Sequence, residues 1–182
     1  MLTRLGFCAV IVALLCAGTA PAARSAGAEA AAVGCFKGDD ARTSYLPAGP
    51  QPPLTLRWKF QSAEDGGKIE SYPSVDDGFS PALIHQGVVY VGGHDGRIYA
   101  IDARSGRKIW EFRTRDHVMP APILHDGLLF VGSMDGFYYA LDAKTGAVAW
   151  KYESGYKIWN GSKYGGVRAT PVITGGKVVF GG

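Results

Sequence analysis

Cysteine is scarce in this chain, and its scarcity excludes several kinds of site. The sequence has three cysteines, Cys8, Cys16 and Cys35, and the first two fall in the predicted leader described below. A mature chain would keep one thiol and form no internal disulfide. No Cys-x-x-Cys-His run for covalent haem is present, and no Cys and His residues stand at zinc-binding spacing. The sequence therefore predicts no metal site and no catalytic residue of these types.

Charge of either sign is also sparse. Charged residues make up 19% of the sequence, and the formal net charge is +3. Two of the 19 basic residues, Arg4 and Arg24, fall in the predicted leader, which leaves 17 basic residues against 16 acidic ones. This near balance provides no basic surface for a polyanion, so we expect no nucleic-acid partner.

The sequence has no apolar run long enough for a permanent membrane span, but residues 1–28 are typical of a secretory signal. Arg4 gives a basic start, residues 5–16 form an apolar core, and either Ala20-Pro21-Ala22 or Ala26-Gly27-Ala28 is a small-residue cleavage site. A core of about a dozen residues is too short to anchor the chain across a bilayer. We therefore predict removal of residues 1–28 and a secreted or periplasmic protein.

Residues 29–53 lack the pattern of a regular element. The segment begins alanine-rich and continues with Pro47, Pro50, Pro52 and Pro53, which break helices and strands. We predict an extended lead-in there. Residues 54–60, Leu-Thr-Leu-Arg-Trp-Lys-Phe, then favour a strand that resembles the Trp-bearing end of the repeats described next. The repeats therefore begin on a fourth strand that lacks the first three strands of its own unit.

What the chain does have is glycine, apolar residues and an internal repeat. It contains 26 glycines and 47% apolar residues, a composition typical of a turn-rich β protein. Residues 100–110 read Ala-Ile-Asp-Ala-Arg-Ser-Gly-Arg-Lys-Ile-Trp, and the same frame returns forty residues later at 140–150. We call this frame, Ala-x-Asp-x-x-x-Gly-x-x-x-Trp, the docking frame. Its members are Ala100, Asp102, Gly106 and Trp110, then Ala140, Asp142, Gly146 and Trp150. A period near forty predicts the blades of a β-propeller.

Each residue type in the docking frame has a physical role in a strand–turn–strand unit. The glycine supplies the positive φ that a tight turn needs, and the aspartate can hydrogen-bond backbone groups of that turn. The alanine leaves room on the sheet face. A tryptophan buries about 150–250 Å² against a neighbouring sheet. We therefore expect the frame to join one blade to the next.

The complete fold prediction is an all-β partial propeller of four-stranded antiparallel blades. Two blades are complete, at residues 80–113 and 119–153, and a partial blade covers 168–182, within a repeat region of 54–182. The predicted strands are 82–85, 88–92, 97–102 and 108–113 in the first blade, and 122–125, 128–132, 137–142 and 148–153 in the second. Gln86-Gly87, Asp126-Gly127, Asp95-Gly96 and Asp135-Gly136 give the tight turns between them.

These residues resemble the pyrroloquinoline-quinone (PQQ) repeat. The resemblance lies in Ser80-Pro81-Ala82, Val89-Tyr-Val-Gly-Gly93, Asp95-Gly96, Tyr99-Ala100-Ile-Asp102-Ala103 and Gly106-x-x-Ile-Trp110, and the second unit matches equally well. It implies a propeller fold, but the repeat is shared by classes with unrelated activities. One class, the quinoprotein dehydrogenases, oxidises alcohols or sugars with PQQ and calcium. Another class is the cofactor-free propeller scaffold of outer-membrane barrel assembly, which binds other envelope proteins.

Two functions remain open from this resemblance. The first is an exported binding or scaffold module that meets other envelope proteins or further blades. The second is the N-terminal part of a PQQ- and calcium-dependent dehydrogenase. The chain has no adjacent cysteines, which those dehydrogenases that use a vicinal disulfide against the quinone require. Propellers close with roughly four to eight blades. We therefore expect the chain to be the front portion of a longer protein, a truncated gene product or a chain that needs other copies to bury its last strands. Of these we favour truncation, and we expect no catalysis by the chain alone.

The loops predict where a binding site lies. In an antiparallel meander, the second-to-third turn and the connection to the next blade emerge on one side, which we call the loop face. All three long connections lie there, and function in repeat proteins collects where insertions do. The connection after the second blade is about nine residues longer than the blade period allows, and its aromatic residues can stack on a quinone, a sugar or a peptide. The candidate binding residues of this face are His94, Asp95, Asp116, His117, Tyr156, Trp159, Asn160 and Tyr164.

Overall fold

The protein is built from short antiparallel strands. The computed structural model describes residues 10–15, 55–62, 79–155 and 166–180, and no helix occurs within them. The twelve strands are Val10–Leu15 (β1), Thr55–Gln61 (β2), Leu83–His85 (β3), Val88–Gly92 (β4), Arg97–Asp102 (β5), Lys108–Arg113 (β6), Ile123–His125 (β7), Leu128–Gly132 (β8), Phe137–Asp142 (β9), Val148–Glu153 (β10), Val172–Thr174 (β11) and Lys177–Val179 (β12). Accordingly, no helix in this part of the chain is long and apolar enough to cross a membrane.

Two four-stranded sheets confirm the predicted blades. Strands β3-β4-β5-β6 form blade 1 and strands β7-β8-β9-β10 form blade 2, each in chain order and antiparallel throughout. The second to fourth strands of each blade begin and end at the predicted residues, and the first strand begins one residue later than predicted. Strands β11 and β12 form a two-stranded sheet that corresponds to the first half of a third blade.

The tight turns follow from the residues that the sequence places there. Between the first two strands of the blades, Gln86-Gly87 and Asp126-Gly127 all have positive φ, the two-residue geometry whose twist matches that of the flanking strands. In the docking frames, Gly106 and Gly146 have φ of 73° and 74°. These backbone angles suit glycine because a side chain there meets steric strain. The predicted hairpin connections are therefore confirmed.

The strand at residues 55–61 has a partner that the sequence did not predict. Strand β1 pairs antiparallel with β2, and a register shift falls between Ala13 and Leu14. Ala13 lies opposite Trp58, as Ala100 lies opposite Trp110 and Ala140 opposite Trp150. Strands β1 and β2 thus reproduce the last two strands of a blade. Strand β1 falls within the predicted signal segment, whose removal stays a prediction.

The main hydrophobic core lies between the two blades. Its buried members include Tyr90, Ile98 and Trp110 from blade 1, and Leu129, Val131 and Leu141 from blade 2. Side chains of this size stabilise a fold by about 1.5–3 kcal/mol each when fully buried. A second cluster packs Phe60 of β2 against the opposite face of blade 1, and a third packs β11 and β12 against blade 2. The sheets are therefore stacked face to face, as in a propeller.

Candidate functional site

The docking frames join successive sheets through an indole ring. The Trp110 Nε1 donates to the carbonyl oxygen of Ala143 at 3.0 Å, and the Trp58 Nε1 donates to the carbonyl oxygen of Ala103 at 2.9 Å. A Cβ on Gly146 would lie 2.7 Å from Cε3 of Trp110. Each tryptophan therefore packs on the glycine turn of the next blade, where both the positive φ and the space require glycine.

The other two residues of the docking frame prepare this contact. Ala100 and Ala140 are fully buried opposite the tryptophan of their own blade. Asp102 accepts hydrogen bonds from the backbone nitrogen of Ser105 and from its hydroxyl, and Asp142 binds Thr145 in the same way. These bonds, first of all those to the hydroxyls, lower the pKa of both carboxyl groups. Both aspartates therefore bind backbone and hydroxyl groups of the docking-frame turn.

Trp150 differs from Trp58 and Trp110, the two equivalent tryptophans that dock on the next blade. Its side chain is 37% exposed, whereas Trp110 is 9% exposed. The ring lies 5.7 Å from that of Phe130 and 6.4 Å from that of Phe180, centroid to centroid. Within the described residues, no glycine turn of a following blade covers it. Trp150 therefore packs on its own blade and on Phe180, which follows β12, without the full contact that its counterparts make.

The loop face is held together by backbone hydrogen bonds between neighbouring blades. Val118 donates to the carbonyl oxygen of Gly93 at 3.0 Å, and Met134 donates to that of His117 at 2.8 Å. Val167 repeats the first bond one blade later, to Ser133 at 3.0 Å. The connection after blade 1 therefore lies between the hairpin of its own blade and that of the next one, on the side that the meander topology predicts.

The aspartates of the loop-face hairpins are structural. Asp95 accepts hydrogen bonds from the backbone nitrogen of Arg97 at 3.0 Å and from the Tyr99 hydroxyl, and it lies 3.5 Å from the buried Arg97 guanidinium. Asp135 repeats the arrangement, accepting from Phe137 and, at 2.7 Å, from the Tyr139 hydroxyl. The pKa of Tyr139 is raised, first by burial and then by the Asp135 bond.

Asp135 was not among the predicted site residues, although it stands at the position equivalent to Asp95. The internal repeat could have predicted it, because Asp135-Gly136 aligns with Asp95-Gly96. The Asp135 carboxylate also accepts a hydrogen bond from the backbone nitrogen of Arg115 at 3.0 Å. It thereby ties the connection after blade 1 to the hairpin of blade 2.

Three further predicted residues meet on the loop face. The rings of His94 and His117 lie edge to face with centroids 5.4 Å apart, and Nδ1 of His117 donates to the carbonyl oxygen of His94. The Asp116 carboxylate accepts from the His117 backbone nitrogen at 2.7 Å and lies 3.9 Å from Nε2 of His117. His117 is buried, whereas His94 and Asp116 are half-buried. The structure thus brings together His94, Asp95, Asp116 and His117 around one edge of the face.

The other four predicted binding residues lie outside the described part of the chain. Tyr156, Trp159, Asn160 and Tyr164 all belong to the connection that follows blade 2. Their relation to the histidine pair therefore stays a prediction.

The described residues of this face do not fit a calcium ion. Calcium takes six to eight oxygen ligands, several of them from carboxylates. Asp95 and Asp135 are bound to tyrosine hydroxyls and to hairpin nitrogens, and Asp116 is bound to the nitrogen of its neighbour. Within residues 79–155 and 166–180, no three His, Cys, Asp or Glu side chains converge on a common point.

Four-stranded antiparallel blades joined by indole-to-turn docking define the chain as a β-propeller repeat protein. A family model described as outer membrane protein assembly factor BamB matches residues 55–182, which include every docking residue. The chain therefore belongs to this family of PQQ-like propeller repeats. No curated protein matches it at a significant level.

Solved structures show the same likeness to two classes of protein. BamB from Moraxella catarrhalis is 25% identical with a TM-score of 0.52, and the match covers 66% of this chain and 35% of that one. Quinohemoprotein alcohol dehydrogenase from Comamonas testosteroni is 26% identical with a TM-score of 0.63, covering 82% of this chain and 23% of that one. The chain thus spans about a third and about a quarter of the length of these two proteins.

Proposed function

We propose that this chain is an exported propeller module that binds a protein of the cell envelope through its loop face. The secreted or periplasmic location rests on the signal-like residues 1–28. The choice of a protein partner is supported by membership of the family named for an outer membrane assembly factor. The proposal commits to binding and assigns no catalytic residue.

The observation that carries the proposal is the way the loop face is assembled. Backbone hydrogen bonds interlock the hairpins of both blades with the connections between them. Such a face is preorganised, and a rigid surface loses less conformational freedom when a partner binds. Arg115 and Met119 are exposed on the first connection and offer one cationic and one apolar contact beside the histidine pair.

The side chains of the face also favour binding over catalysis. A general base must hold its proton-accepting atom within reach of a substrate. The carboxylates of Asp95 and Asp135 instead accept from tyrosine hydroxyls and backbone nitrogens inside the hairpins. These two carboxylates therefore stabilise the hairpins of the loop face, which is a structural role and not that of a general base.

A matched pair of crosslinking positions tests the proposal. A photoreactive amino acid replaces Arg115 on the loop face in one variant and Arg104 in the docking-frame turn on the opposite side in the other. Both arginines are exposed, so the probe itself is equally accessible. We expect a discrete crosslinked envelope protein from position 115 only, identified by mass spectrometry. The same products from both positions, or none from position 115, would refute the assignment of the face.

A second candidate function is the N-terminal part of a PQQ- and calcium-dependent dehydrogenase. It is favoured by the likeness to the Comamonas testosteroni enzyme, which covers 82% of this chain. Calorimetric titration with PQQ and Ca²⁺, followed by a dye-linked alcohol oxidation assay, separates the two functions. Tight quinone uptake with alcohol-dependent dye reduction would establish the dehydrogenase. If neither the chain nor a longer protein that contains it takes up the quinone, the dehydrogenase function is excluded and the envelope-binding function is retained.

A further inference from the structure

The hairpin that joins β8 to β9 on the loop face is held from both sides by the connections between sheets. On one side, the Asp135 carboxylate accepts a hydrogen bond from the backbone nitrogen of Arg115 at 3.0 Å. On the other side, Val167 donates to the carbonyl oxygen of Ser133 at 3.0 Å. Arg168 directly follows Val167 in the chain. Arg115 and Arg168 therefore flank one hairpin, at backbone positions that these hydrogen bonds fix.

Both guanidinium groups are available to a partner. The side chains of Arg115 and Arg168 are exposed. In the part of the chain that the structure describes, the ion pairs involve other basic groups, those of Arg97, Lys108, His117 and His125. Burial and the Asp135 bond raise the pKa of Tyr139, and the positive charge of Arg115 opposes that rise, so this guanidinium lies near the hairpin.

The exposed charge of the loop face is mostly positive. Its aspartates have partners within the protein: Asp95 and Asp135 accept from tyrosine hydroxyls, and Asp116 accepts from the backbone nitrogen of the next residue. Among the described residues 93–96, 113–122, 133–136, 153–155 and 166–171, the exposed carboxylate is that of Glu153. The exposed cations of these segments are Arg113, Arg115 and Arg168. A partner with negative charge therefore suits this face.

Met119 adds an apolar side chain to the same face. It follows the buried Val118 in the first connection, as Arg168 follows the buried Val167 in the second. Each valine donates a backbone hydrogen bond to the hairpin of the preceding blade. Met119, which is 41% exposed, and Arg168 therefore occupy equivalent positions one blade apart. Methionine and arginine are both enriched in protein–protein interfaces.

We propose that the loop face binds an extended acidic segment of its protein partner, with carboxylates on Arg115 and Arg168 and an apolar side chain on Met119. This rests on the proposed function, because it specifies the partner of the same face. A planar guanidinium binds a carboxylate through two parallel hydrogen bonds. Since the backbone around both arginines is already fixed, binding orders only their side chains. Two such groups on a nearly neutral chain suit a few carboxylates and not a nucleic acid.

Photocrosslinking from position 119 tests the requirement for charge. An apolar photoreactive amino acid replaces Met119 in the full chain, which leaves both arginines in place. Arg115→Gln is combined with Arg168→Gln, and the matched control combines Arg104→Gln with Arg107→Gln, two exposed arginines of the docking-frame turn on the opposite side. We expect the crosslinked envelope protein to decrease about fivefold or more in the first variant and to stay unchanged in the control. Urea unfolding verifies that both variants fold.

The attached partner segment provides a second measurement. Mass spectrometry of the crosslinked product should find Asp or Glu within a few residues of the attachment point. Changing those residues to Asn or Gln in the partner should lower the yield as much as the Arg115→Gln, Arg168→Gln variant does. Combining the two sets should add little, because both remove the same contacts. A synthetic peptide of the mapped sequence should bind the parent chain less tightly as salt is added, and the glutamine variant should lack this dependence.

The outcomes separate this proposal from the proposed function. A crosslink that persists in the Arg115→Gln, Arg168→Gln variant keeps the loop face as the binding surface and overturns the acidic segment. No crosslinked envelope protein from the parent overturns both. An equal decrease in the Arg104→Gln, Arg107→Gln control assigns the effect to total charge and also overturns the proposal. Arginine-dependent sedimentation with phosphatidylglycerol vesicles, without a crosslinked protein, would make a lipid surface the partner instead.

Discussion

The Trp110 indole donates a hydrogen bond to the carbonyl oxygen of Ala143, 33 residues further along the chain and in the next blade. The contact repeats one blade earlier between Trp58 and Ala103. A buried hydrogen bond and a large aromatic surface are combined at a single position of the repeat. The stability of the stacked sheets should therefore depend strongly on these two rings.

Truncating Trp110 should be among the most damaging single changes in the chain. Trp110→Ala is expected to lower the free energy of unfolding by about 3–5 kcal/mol because it removes a buried aromatic side chain. Trp110→Phe keeps most of the packing and loses the bond to Ala143, for a cost of roughly 1 kcal/mol or more. Urea unfolding measures both values. The exposed neighbour Ile109, changed to Ala, serves as control, and a cost there equal to that of Trp110→Ala would contradict the docking role.

Glycine substitutions separate backbone strain from loss of the indole contact. Gly146 and Gly136 both have positive φ, but a Cβ on Gly146 would meet Trp110 at 2.7 Å and one on Gly136 would meet nothing within 4 Å. Gly136→Ala should cost about 1–2 kcal/mol through backbone strain alone. Gly146→Ala should cost clearly more, because the ring of Trp110 must also move. Equal losses in urea unfolding would show that the indole does not pack on the turn.

The tyrosine of the loop-face hairpin should stabilise the fold through its hydroxyl. Tyr139→Phe removes the donor to Asp135 and leaves that half-buried carboxylate with fewer partners. Hydrogen bonds to charged groups contribute about 1.5–3 kcal/mol, so a loss of this size is expected in thermal or urea unfolding. Tyr152→Phe, at a largely exposed position, is the matched control and should be neutral. A neutral Tyr139→Phe variant would remove the structural role assigned to Asp135.

Most of the fold could be predicted from the sequence, because the patterns that indicate strands and turns are local and occur in each repeat. Alternating strand residues, two-residue turns and a forty-residue period predicted both blades nearly to the residue, and the docking frame predicted which side chains join them. Strand β1 was not predicted, because an apolar run such as residues 10–15 has the composition of a signal core and of a buried strand alike. Periodicity alone does not separate the two.

The candidate site was harder to predict than the fold. Topology placed His94, Asp95, Asp116 and His117 on one face, and the structure brings them together. The sequence did not predict the roles of these residues, because it does not show whether a carboxylate faces solvent or is hydrogen-bonded inside a hairpin. Asp95, for example, accepts a hydrogen bond from the Tyr99 hydroxyl. The equivalent Asp135 was not predicted as a site residue, although the repeat aligns it with Asp95.

Acid should weaken the docking turns before it affects the core. The lowered pKa values of Asp102 and Asp142 mean that the ionised forms are favoured in the folded state, chiefly by hydroxyl bonds from Ser105 and Thr145. Their contribution is complete above the ordinary carboxyl pKa of about 4 and is lost as the pH falls through the lowered values. We expect the stability difference between the parent and an Asp102→Asn, Asp142→Asn variant to shrink as the pH falls from 6 towards 3. Urea unfolding as a function of pH measures it, and a constant difference would contradict the assignment.

Hydrogen exchange of the indole N–H groups tests the docking of successive blades most directly. Nuclear magnetic resonance of the folded chain reports each tryptophan separately, with assignments from single Trp→Phe variants. The account predicts slow exchange for Trp58 and Trp110, whose indole groups donate to Ala103 and Ala143. If both indole groups exchange at the rate of free tryptophan under native conditions, the blades are not joined in this way.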